Sequence, residues 1–181
     1  MFTHILGLAL QVTTVAFSAA PSLIPRTPTP IYRSDVFFEG GSDFPATLHD
    51  LRMADHGRFE RWVIDFSNVS GLQKNKQAPK FQVRFLPSQK IETDTGEIVV
   101  SQPPKLIVTF HKVNRNDLQK QRLSRLVEKS AHIKKIVIYP PIENGDTAME
   151  FTFAADSPVN IHQPLENEGR LVIDIAALSK K

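Results

Sequence analysis

The chain of 181 residues contains no cysteine. Disulfides, thiolate metal sites, a cysteine nucleophile and lipid attachment through an N-terminal cysteine are therefore excluded, while the redox compartment is left open. Aromatic residues other than phenylalanine are scarce, with two Tyr and one Trp against twelve Phe. That balance suits rings that fill a core better than rings that present stacking platforms. Glycine is sparse at eight residues against thirteen Pro, a ratio that points to a strand-rich domain with long connections. No Gly-rich phosphate loop, Gly-x-Ser-x-Gly elbow or His-Glu-x-x-His helix occurs. Neither sign of charge dominates: 22 Lys and Arg face 19 Asp and Glu, a net charge of +3. With the basic residues mostly dispersed, this gives no footprint for nucleic acid. The expectation is a protein that is not an enzyme, with no catalytic residue, no metal site and no cofactor.

What is present begins with a repeated pattern. Arg61-Trp62-Val63-Ile64-Asp65-Phe66 recurs near the C-terminus as Arg170-Leu171-Val172-Ile173-Asp174-Ile175. As strands, the two segments put Trp62, Ile64 and Phe66, and Leu171, Ile173 and Ile175, on one face each. Arg, Val and Asp occupy the other face in the same order both times. Either an internal duplication or two half-buried strands of similar pattern explains this, and the residues between the copies do not repeat. In both cases Arg and Asp serve a strand surface, which is poor material for an active site.

Alternation predicts further strands at Thr47 to Met53, Lys80 to Leu86, Lys105 to His111, Ile133 to Tyr139, the Met149-Phe151-Phe153 segment and, more weakly, Asn160 to His162. Turn signals separate them, among them Ser70-Gly71, Thr95-Gly96 and Asn144-Gly145. Glu92 and Asp94 fall in a polar hairpin beside Gly96. Asn116-Asp117 is placed to cap a helix running to about Ser130, with Leu118, Gln121, Arg122, Leu126 and Val127 near one face. Lys120, Arg122, Arg125 and Lys129 make its exposed face basic, and a solvated face is the default for such charges. The fold class expected is mainly β: an antiparallel β-sandwich with one short helix. Its core should include Trp62, Ile64, Phe66, Phe81, Val83, Phe85, Val108, Phe110, Phe151, Phe153, Leu171 and Ile173.

The N-terminus suggests export. Ile5 to Phe17 is apolar and free of charge, too short for a comfortable membrane span, and leads into Ser18, Ala19 and Ala20. Only the α-amino group and His4 precede it as possible positive charge. A cut after Ser18, or after Ala20, is expected. Residues 1–18 are then a signal peptide, 19–32 a Pro-rich linker, 33–177 the sandwich domain and 178–181 a tail. No stable membrane span should remain after cleavage.

Among polar residues, His49-Asp50 and Asp55-His56 resemble four metal donors, but their spacing fits no zinc signature. A turn with a hydrogen-bonding His accounts for them better. Arg52 and Arg61 are expected to form paired hydrogen bonds with a carboxylate such as Glu60 or Asp65 on a neighbouring strand or turn. If the domain binds a ligand, Arg52, His56, Arg61, Lys80 and Arg84 are its candidate contacts.

Leu51 to Phe66 contains Arg52, His56, Phe59, Glu60, Arg61, Val63, Asp65 and Phe66 in an order that resembles the AMIN-like domains of bacterial cell-envelope proteins. Glu60 stands where that pattern more often has Asp. Gly169-Arg170-Leu171-Val172-Ile173-Asp174-Ile175 is similar to the Arg-Leu-Val-Val-Asp ending of the wider AMIN group. Lys80 to Phe85 resembles the strand after the first motif, so the resemblance spans roughly residues 45 to 176. It implies a β-sandwich in the periplasm or secreted to the outer envelope, binding peptidoglycan or a peptidoglycan-associated protein without catalysis. The alternative is an accessory subunit of an envelope secretion or pilus-type machine, offering a strand edge or the basic helix to a partner protein.

Overall fold

In the computed structural model, residues 37–176 are described apart from 71, 72, 74, 142–144 and 164–168. The expected signal peptide, the linker and the 178–181 tail lie outside the described residues. Twelve strands and one helix follow in the order β1 (Phe37–Gly40), β2 (Ala46–Asp55), β3 (Phe59–Ser67), β4 (Phe81–Leu86), β5 (Gln89–Glu92), β6 (Ile98–Gln102), β7 (Lys105–Phe110), β8 (Val113–Asn116), α1 (Lys120–Lys129), β9 (Ile133–Ile138), β10 (Thr147–Phe153), β11 (Val159–His162) and β12 (Arg170–Ala176). A first sheet has the order β1-β4-β7-β10-β9 and a second the order β11-β12-β3-β2-β8. All pairings in the two sheets are antiparallel except β2–β8, which is parallel. The described residues form a mainly β sandwich with one short helix. No described helix is long and apolar enough to cross a membrane.

Period-two patterning builds the core. Trp62, Ile64 and Phe66 on β3 and Leu171, Ile173 and Ile175 on β12 are all buried, as are Phe81, Val83 and Phe85 on β4 and Leu106, Val108 and Phe110 on β7. Every one of the twelve core residues expected from alternation is inside. Phenylalanine joins the sheets: Trp62 meets Phe151 edge-on at 5.8 Å, and Phe66 meets Phe110 at 5.0 Å. Such pairs add about 0.5–1.5 kcal/mol beyond area burial, and burying each large side chain contributes roughly 1.5–3 kcal/mol.

Three elements depart from the expectation. The helix starts at Lys120, not at Asn116-Asp117, and Gln119 at its N-cap makes no side-chain capping bond. Asn116 ends β8, and its Oδ1 accepts a hydrogen bond from Leu118 N at 2.9 Å, closing a turn ahead of the helix. Gln121 and Arg122 are exposed; the residues packed against the core are Leu118, Leu123, Leu126 and Val127. The polar hairpin expected around Gly96 is present, its arms β5 and β6 forming a separate two-stranded ribbon on which Ile91, Ile98 and Val100 are exposed. Strands β1 and β8 were not anticipated.

Helix α1 runs from the edge strand of one sheet to that of the other, because β8 precedes it and β9 follows. Its exit is fixed by Glu60. This residue shares the inward face of β3 with Trp62 and is 4 % exposed. Glu60 accepts hydrogen bonds from Trp62 Nε1 at 2.6 Å, Ser130 Oγ at 2.6 Å and Ala131 N at 3.0 Å. A buried carboxylate must find such donors, and here they tie the centre of the second sheet to the start of β9.

Candidate functional site

The two related hexapeptides are partners. Strands β3 and β12 pair antiparallel with Arg61 opposite Asp174, Val63 opposite Val172 and Asp65 opposite Arg170. Reversing one copy against the other brings Arg to Asp at both ends, so one pattern used twice yields a complementary charged surface. Arg61 donates from Nε and Nη2 to the two oxygens of Asp174, both at 2.7 Å. Arg52 donates from Nε and Nη2 to Asp65 at 2.8 and 3.0 Å, and Arg170 Nε lies 3.5 Å from Asp65. His162 Nε2 stands 3.3 Å from Asp174. Burial pushes the Asp174 carboxyl up, but the bonds from Arg61 and His162 outweigh it and hold the group below its ordinary value.

The paired hydrogen bonds expected of Arg52 and Arg61 are therefore present. The carboxylate for Arg61 is Asp174; Glu60 cannot serve because alternation turns it inward. His56 sits in the β2–β3 turn, where its N–H donates to Phe59 O at 2.9 Å and Gly57 N donates to Asp55 Oδ1 at 2.7 Å. Gly57 takes φ 74°, a conformation that favours glycine. The His56 ring stacks on Phe59 at 4.8 Å, and the Arg61 guanidinium lies 5.1 Å from the same ring. The four residues that resemble metal donors go to different partners: His49 is 3.9 Å from Asp117, and Asp50 pairs with Arg122 at 2.7 Å. Among the described residues no group of acids and histidines converges on a metal position.

Arg84 belongs to the outer face of the first sheet and Lys80 immediately precedes β4, on the opposite side of the sandwich from Arg52, His56 and Arg61. The five candidates thus form two groups with the core between them. Lys80 and Arg84 are exposed, and neither joins an ion pair among the described residues. Gln82, between them, donates to Glu39 at 2.9 Å. Further across the same sheet, Glu150 accepts hydrogen bonds from Tyr139 Oη and pairs with Lys105 Nζ, both at 3.0 Å. Burial pushes Glu150 up, but the bonds from Lys105 and Tyr139 bring its pKa below the ordinary value. The same contact with Glu150 raises the Tyr139 phenol. The Tyr139 side is open, with 44 % of the residue exposed.

A third feature was not anticipated. Between α1 and β9 lies a cleft of about 670 Å³. Leu123 and Val127 form its helical wall, Ile136 and Ile138 its strand wall, and Lys120, Lys134 and Lys135 its charged border, with Glu128 the one acid lining it among the described residues. The sequence signal was the apolar spacing of α1 followed by a strand with two lysines after its first residue. It could not be read as a cleft without knowing that β9 ends a sheet.

No family model matches the chain, and no curated protein matches it.

Proposed function

We propose that this chain is an exported, non-enzymatic binding domain of the bacterial cell envelope, and that its ligand is peptidoglycan. The observation that carries the reading is the contrast between the two outer faces. On the second sheet the charged groups are occupied by one another: Asp65 by Arg52 and Asp174 by Arg61. On the first sheet Arg84 is exposed beside Gln82, on the face that also carries Tyr139, and Lys80 is exposed just before β4. An open, gently polar sheet face with exposed cations suits an extended polymer that bears hydroxyls and peptide carboxylates. The resemblance of the Arg52–Phe66 and Gly169–Ile175 segments to AMIN-like domains supports the same ligand, by analogy.

Arg52, His56 and Arg61 then act in the fold, and Lys80 and Arg84 make the contacts. Titration with a soluble disaccharide–peptide fragment of the wall, followed by amide NMR, tests this assignment. Shifts concentrated on Lys80, Gln82, Arg84 and their neighbours on β7 are expected. Shifts concentrated at His56 and Arg61 would move the site to the other face. A second reading, an accessory subunit of an envelope assembly, is favoured by one observation: the open edge of β9.

A further inference from the structure

We infer that the α1–β9 cleft receives an extended acidic segment of a partner protein, which adds to the first sheet as a strand beside β9. This goes beyond wall binding and does not rest on it.

The edge itself is the first support. Strand β9 is the last of its sheet, paired with β10 on one side and with no strand among the described residues on the other. Tyr139 N donates to Ala148 O at 2.8 Å, which fixes the phase of the antiparallel ladder. Residues of the same parity, Val137 and Lys135, then turn their N–H and C=O groups to β10. Ile136 and Ile138 turn theirs outward, and the phase shifts beyond Lys135, where a bulge sets Ile133 opposite Phe153. The cleft is lined by the consecutive residues Lys134, Lys135, Ile136, Val137 and Ile138. A strand that presents only one face contributes alternate residues; an unbroken run means that it presents its edge.

The second support is the shape and chemistry around that edge. Helix α1 stands alongside, and Leu123, Val127, Ile136 and Ile138 are only partly buried. A strand laid in this space would gain main-chain hydrogen bonds from β9 and cover apolar surface left open by the helix, as in β-augmentation. The third support is charge. Among the described residues, Lys120, Lys134 and Lys135 border the cleft against the single acid Glu128, and Arg125 and Lys129 on α1 are exposed. Lysines on an edge strand discourage indiscriminate pairing. A second copy of β9 would bring its own Lys134 and Lys135 onto the same short ladder. A strand carrying Glu or Asp meets the opposite condition, so the same residues that repel a copy select an acidic partner.

The test uses the full chain and two blocked synthetic hexapeptides, one alternating Val with Glu and the other Val with Lys. The Glu peptide should bind by fluorescence anisotropy, more weakly as salt rises, and slow hydrogen exchange at the Ile136 and Ile138 amides. The Lys134→Glu, Lys135→Glu double variant should lose about tenfold in affinity for it, from two exposed charges reversed, and gain the Lys peptide. Equal binding of both peptides, or no new protection at Ile136 and Ile138, overturns the inference. So does concentration-dependent dimerisation that protects the same amides without peptide, which would make a second copy the occupant.

Discussion

Arg61 and Asp174 show what a charged pair does at the surface of this sandwich. Asp174 is 1 % exposed, so its ionised form depends on the two short bonds from Arg61. Removing the cation leaves His162 as the partner within 3.3 Å. Breaking a buried pair typically costs 3–5 kcal/mol, and because Arg61 keeps about a third of its side chain in water, Arg61→Ala should cost about 3 kcal/mol. A double-mutant cycle with Asp174→Ala, read by urea unfolding, should then show strong coupling; additive losses would mean that the two residues act separately. The sign of the pH effect follows from the direction of the Asp174 shift. Its folded-state pKa is lowered, so its contribution is present above the ordinary carboxylate value and disappears as pH falls through the lowered one. Asp174→Asn should therefore flatten the loss of stability below about pH 4, measured by thermal melts across an acid series. In the core, Phe151→Ala removes the ring that meets Trp62 edge-on and should cost about 3–5 kcal/mol by chemical unfolding.

At the scale of elements, legibility followed burial. Strands β3, β4, β7, β10 and β12 each bury one full face, so alternation named them and their inward residues. Strand β8 buries only Val113 of its four residues, and β5 buries none; no periodicity can exist where neither face is inside. The helix start was misread because Asn116 spends its side chain on a turn at Leu118, a local bond that in sequence looks the same as a cap. Pairing between the hexapeptides was also out of reach. Each pattern declares a half-buried strand, but nothing local says that the two lie side by side and reversed. The same logic yields two predictions. Ile91→Thr and Ile98→Thr on the β5–β6 ribbon should change stability by no more than about 0.5 kcal/mol, since both side chains are more than half exposed. Ser130→Ala should cost about 1–3 kcal/mol, because Ser130 Oγ bonds Glu60 and accepts from Ile133 N at 2.7 Å. Hydrogen exchange at Ile133 should accelerate well beyond the change in global stability; uniform acceleration would show that the junction does not open on its own.

For the whole molecule, the sandwich separates three surfaces with different chemistry. The outer face of the second sheet is closed on itself by Arg–Asp pairs. The outer face of the first sheet exposes Arg84 and Tyr139, with Lys80 exposed just before β4. The open side spanned by α1 offers a strand edge bordered by lysine. The candidate residues were legible individually, yet their division between two opposite faces was not, because it depends on which sheet each strand joins. The most direct measurement is co-sedimentation of the protein with purified cell-wall sacculi across a salt series, comparing the natural chain with its Lys80→Ala, Arg84→Ala double variant. Exposed charge contacts of this kind contribute about 0.2–1 kcal/mol each and are screened by salt. The natural chain should pellet with sacculi at low ionic strength and be released as salt rises, while the double variant, with an unchanged melting temperature, stays largely in the supernatant. A natural chain that remains in the supernatant at low salt, or a double variant that pellets equally well, would contradict wall binding through this face.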